Sequence, residues 1–119
     1  MENAGRQAEA ADWRFTLEQA RRTPLAPGRL SALLFSHGTL TVRHYAPRGV
    51  DTQTPHDQDE VYVVERGTGW FEVAGSRVRF GPDDVLFVPA GVEHRFVDFT
   101  DDFETWVIFY GAKGGEAKA

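Results

Sequence analysis

The chain has 119 residues and a formal net charge of −5, with 18 acidic against 13 basic side chains and no cysteine. Disulfides, thiolate nucleophiles and zinc-finger ligand sets are thereby excluded, so any metal must be held by His, Asp, Glu or neutral oxygen donors. An acidic chain without a dense Lys/Arg tract argues against a nucleic-acid partner, and no apolar run approaches the roughly eighteen residues that span a bilayer.

Residues 1–28 read as an N-terminal arm and a short helix. The first stretch is polar and alanine-rich, without a hydrophobic signal region, so a soluble, cytoplasmic protein is expected. Trp13 and Phe15 are placed to tuck the arm onto the body of the protein or onto a second subunit. Thr16 suits an N-cap for a helix over Leu17 to Arg22, with Glu18 early and Arg21 and Arg22 late, as the helix dipole favours. Pro24 and Pro27-Gly28 end it.

From Arg29 to Gly111 the pattern changes to short strands broken by Gly, Pro and Asp turns. The expected strands are 29–35, 39–46, a run from Val61, 70–74, 77–80, 85–88, 94–99 and 103–110. Eight or nine such strands, with nine Phe, three Trp and three Tyr to fill a core, indicate an all-β closed barrel or two-sheet sandwich. Residues 112–119 are small and charged and read as a disordered tail.

Two polar clusters interrupt this pattern. In Pro55 to Gly69, His56-Asp57-Gln58-Asp59-Glu60 precedes the apolar run Val61 to Val64. Along one extended strand His56 and Glu60 would stand roughly 13 Å apart. A hairpin turn over Asp57 to Asp59 would bring them face to face, within reach of one ion. In the second cluster, Pro89-Ala90-Gly91 leads to His94, which shares strand parity with Phe96 and Asp98. A lone histidine of this kind is more often a core residue than a ligand, but a second histidine and a carboxylate occupy matching positions in the first cluster.

Together the clusters resemble the paired motifs of the cupin superfamily. The first motif contains a glycine, a His-x-His pair, a glutamate and a second glycine, matched here by Gly49, by Thr54 and His56, by Glu60, and by Gly67. The second runs from a glycine position, held here by Asp83, through Pro89, Gly91 and His94 to Asp98 in place of the family's asparagine. The resemblance implies a double-stranded β-helix (jelly-roll) barrel over residues 29–111 and a divalent transition metal, Fe, Mn, Ni or Zn, held by His56, Glu60 and His94. Thr54 stands where the family has its first histidine. Gln53 or Thr54 could supply a fourth oxygen, or His44 could replace the missing ligand or support the site from behind. Tyr62, Phe96 and Asp98 are expected to line the pocket, with Asp98 placed for general-base or supporting work. A small metal-dependent enzyme of dioxygenase or isomerase type, acting on a small polar organic molecule, is one reading. A non-catalytic metabolite- or metal-binding module is the other, and family habit suggests a homodimer.

Overall fold

The computed structural model describes residues 13–117. Helix α1 covers Leu17–Arg22, and eight strands follow: β1 Ala32–His37, β2 Leu40–Tyr45, β3 Asp59–Arg66, β4 Gly69–Val73, β5 Ser76–Phe80, β6 Val85–Val88, β7 His94–Val97 and β8 Glu104–Tyr110. They form a five-stranded sheet in the order β1-β2-β8-β3-β6 and a three-stranded sheet in the order β5-β4-β7. All pairings are antiparallel. No helix among the described residues is long and apolar enough to cross a membrane.

The core lies between the sheets because period-2 alternation turns one face of each strand inward. Glu60, Tyr62 and Val64 of β3 are buried, while Val61 and Val63 between them are only half-buried. Phe96 of β7 sits at the centre of an aromatic cluster, with ring centroids 4.9 Å from Tyr62, 4.8 Å from Phe71 and 4.7 Å from Phe103. Each such ring, fully removed from water, contributes on the order of 2–3 kcal/mol. The glycines that close the first cluster have a steric reason. Gly67 takes φ +91°, and a β-carbon there would lie 2.5 Å from the Phe103 Cα.

Helix α1 begins as expected. Thr16 and Gln19 form a reciprocal capping box, and buried Ala20 packs the helix down. Arg21 ties α1 to β8 through Glu104, at 2.5 Å. Trp13 is exposed, whereas Phe15 packs on Phe35 with centroids 5.0 Å apart. The remainder of the arm, residues 1–12, lies outside the described residues. The chain end is held as far as it is described: Gly114 N–H donates to the Asp57 carbonyl at 2.6 Å, and Glu116 N–H to Asp59 Oδ2 at 2.9 Å.

Candidate functional site

The expected hairpin around His56 does not form. Residues 51–58 run as an irregular segment, β3 starts at Asp59, and its partners are β6 and β8. His56 and Glu60 nevertheless meet, with Nε2 3.9 Å from Oε1. A loop bent at Asp57 and Gln58 folds the histidine back over the strand, which an extended chain could not do.

The loop is pinned to the second cluster by two backbone contacts. Gly91 N–H donates to the His56 carbonyl at 2.7 Å. Ala90 N–H donates to Asp59 Oδ1 at 2.9 Å. The bond from Glu116 N–H and that from Ala90 N–H hold the Asp59 carboxyl below its usual range. Asp59 therefore joins the two motifs rather than solvating a turn.

At this junction four side-chain nitrogen and oxygen atoms converge. Nε2 of His94 lies 3.0 Å from Glu60 Oε1 and 3.1 Å from Gln53 Oε1, while His56 Nε2 lies 3.3 Å from Gln53 Oε1. One donor atom each from His56, Glu60 and His94 falls within 4.8 Å of the others. The protonation pattern follows from the partners. His94 Nδ1–H donates to the Val92 carbonyl at 2.8 Å, so a neutral His94 presents a bare lone pair at Nε2. Gln53 Nε2 sits 2.7 Å from Asp51 Oδ2, which forces its Oε1 toward the histidines. Glu60 is buried, and its Oε2 is the one buried side-chain polar atom among the described residues without a hydrogen-bond partner.

Electrostatics separate the two histidines. Burial, the largest influence, pulls His56 down against the attraction of Glu60, and the neighbouring His94 adds to the lowering. Burial also acts against the charge on His94, but its hydrogen bonds to Glu60 and the Val92 carbonyl outweigh it and raise the group. Without a cation, a proton on His94 Nε2 is what the pair can share; a bound metal would displace it.

Asp51 carries no motif signature, yet it organises the cluster. It accepts from the Tyr45 hydroxyl at 2.5 Å, from Gln53 N–H at 3.1 Å and Gln53 Nε2, and from Phe96 N–H at 2.9 Å. Only its partners on β2 and β7 mark it, since a short acid in a loop ordinarily reads as a turn residue. Burial raises both Tyr45 and Tyr62, so the two phenols stay protonated and donate, Tyr62 to Gln53 Oε1 at 3.0 Å.

The other expected residues divide. Tyr62 and Gln53 line a cavity of about 280 Å³ that opens over the cluster, with Thr54 exposed at its edge. Phe96 lies behind it in the core. Asp98 is not a pocket residue: β7 ends at Val97, Asp98 takes φ +52°, and its exposed carboxylate pairs with Arg77 at 3.1 Å. Strand parity does not extend past the strand's end. His44 faces away from the cluster. It pairs across β8 with Trp106, bonds Glu104 Oε1 at 2.9 Å and lines a separate cavity of about 480 Å³ beneath α1. Tyr45, its neighbour, takes the inward position instead.

Two facing antiparallel sheets with a His/Glu/His cluster at one end define a small β-barrel of the cupin class. A family model described as "Cupin domain" matches residues 41–109, and the chain belongs to that family. It is 39% identical over 59 residues to an uncharacterised protein of Streptomyces coelicolor, covering 50% of this chain and 56% of that protein. It is 34% identical over 91 residues to the acireductone dioxygenase of Leishmania infantum, covering 71% of this chain and 24% of that enzyme. The chain thus spans about half of the first relative's length and a quarter of the second's. A cupin superfamily protein from Desulfitobacterium hafniense shares the fold, with a TM-score of 0.60 at 18% identity over 81% of this chain and 90% of that one.

Proposed function

We propose that the protein is a metal-dependent cupin enzyme, of dioxygenase or isomerase type, acting on a small polar organic molecule. His56, Glu60 and His94 would hold the metal, with Gln53 Oε1 as the fourth donor in place of the family's first histidine. The observation that carries this reading is the convergence of potential ligand atoms: two imidazole nitrogens, an amide oxygen and a carboxylate of which one oxygen is unpaired. Lone pairs gathered in a buried site repel unless a cation or proton lies among them. Two histidines and a carboxylate suit Fe(II), Mn(II), Ni(II) or Zn(II). When bound, such an ion supplies Lewis-acid polarisation of a carbonyl or, as iron, a site for oxygen chemistry.

The chain's own residues supply the rest. Asp51 holds Gln53 and Phe96 in place, the Val92 carbonyl fixes the His94 tautomer, and Tyr62 donates to Gln53. Phe109 packs edge-on to His56, with ring centroids 4.8 Å apart. Similarity to acireductone dioxygenases supports the enzyme reading over a fragment of those proteins. Elemental analysis of protein purified without an affinity metal, compared with Glu60→Gln and His94→Ala, tests it. Loss of metal in both variants is expected, and equal metal in all three would sink the site.

A further inference from the structure

Behind the wall of the cavity above the cluster stands a buried charge that no carboxylate among the described residues balances. Arg43 lies on the inward face of β2 and is 7% exposed. Among the described residues its side-chain hydrogen bonds go to Ser31: Nε to Oγ at 2.7 Å and Nη2 to the carbonyl at 2.9 Å. No carboxylate lies within 4.0 Å of it among the described residues. Arg29, two positions before Ser31, lines the cavity wall and likewise has no carboxylate partner among the described residues.

A buried guanidinium is ordinarily paired with a carboxylate, because removing its charge from water costs several kcal/mol. Even the exposed Arg21 and Arg77 have carboxylate partners, Glu104 and Asp98. The two Ser31 oxygens accept from Nε and Nη2 of Arg43 but bring no negative charge. Burial holds the Arg43 guanidinium below its ordinary range, and the charge of Arg29 lowers it further. Between Arg29 and the His56/Glu60 side of the cluster, the cavity is bounded by Tyr45, Leu30, Val107 and Phe109.

We infer that the site takes a small organic monoanion, a carboxylate with an apolar or aromatic body. Its acid group lies against Arg29, within the field of Arg43, and its body lies along Val107 and Phe109. Arg43 is a positioning residue that ties down Ser31 and with it the segment carrying Arg29. This substrate class rests on the reading of the cluster as a metal site, because the body of the ligand extends from the arginines toward those donors.

Benzoate and its neutral counterpart benzamide are suitable probes, titrated into the full-length protein and followed by thermal shift, with metal content measured on the same samples. Wild type is expected to bind benzoate about tenfold or more tightly than benzamide, as a charge-assisted contact predicts. Exposed Arg29→Gln, which should fold normally, is expected to abolish most of that preference at unchanged metal content. Equal binding of the two probes by wild type, binding of neither, or an undiminished preference in Arg29→Gln overturns the inference. Repeating the titration on Glu60→Gln keeps the two readings apart. A retained benzoate preference with unchanged metal in that variant removes the metal centre alone, whereas metal loss with no preference in wild type removes the anion site alone.

Discussion

Nε2 of His94 and Oε1 of Glu60 stand 3.0 Å apart in a site where both side chains are essentially excluded from solvent. One residue comes from β7 of the smaller sheet and the other from β3 of the larger, so their contact closes one end of the barrel. A buried carboxylate with a single unsatisfied oxygen is costly in isolation. Glu60→Gln should therefore leave the metal-free protein as stable as wild type or more so, while removing the stabilisation that metal gives. Melting curves with and without chelator check this: wild type is expected to lose stability on chelation, by the mass-action amount set by affinity, and the variant is not.

Gln53 is the fourth donor in the proposed site. Gln53→Met keeps the bulk but removes Oε1 and the bond from Tyr62, and should weaken metal binding by about 10- to 100-fold. Competition against a chromophoric chelator measures it. Thr54→Ala, at the exposed neighbouring position, should leave affinity unchanged.

Asp51 serves four donors from three parts of the chain. Asp51→Ala strips partners from Tyr45, Gln53 and the Phe96 amide together, and buried donors left unmatched cost about 1–3 kcal/mol each. A loss of roughly 3–5 kcal/mol is expected in urea denaturation, since such network effects do not add fully.

Glu104 gives a pH dependence of known sign. Burial pushes its carboxyl up, but hydrogen bonds from Arg21 and His44 outweigh this and leave the folded value below the ordinary 4.5. A depressed folded value means that the stabilisation is fully present above pH 4.5 and is lost as pH falls through the folded value. Denaturation midpoints measured from pH 7 downward should fall across that window in wild type and less steeply in Glu104→Gln.

Two glycines with similar backbone angles should respond differently to alanine. Gly49 at φ +75° has open space around it, so Gly49→Ala costs only the left-handed backbone, about 1–2 kcal/mol. Gly67 at φ +91° also meets the Phe103 backbone, so Gly67→Ala should cost about 2 kcal/mol more. Chemical denaturation of the two variants distinguishes them.

Strand and turn alternation was legible in the sequence because a half-buried strand has to alternate and a tight turn needs Gly, Pro or Asp. His56, Glu60 and His94 stood out because the spacing around two turn motifs is itself a sequence pattern. Those features determined the barrel and the candidate cluster. Parity, however, shows which residues share a face and not which face is inside, so His44 reads as a candidate for the inward position that Tyr45 takes. Parity also fails where a strand stops, as at Asp98. The irregular segment from Asp51 to Gln58 has no period at all, so the inward turn of Gln53 and the burial of Asp51 were decided by partners on β2, β3 and β7. The absence of a carboxylate beside Arg43 among the described residues belongs to the same class: a guanidinium's partners are set only once distant strands have been brought together.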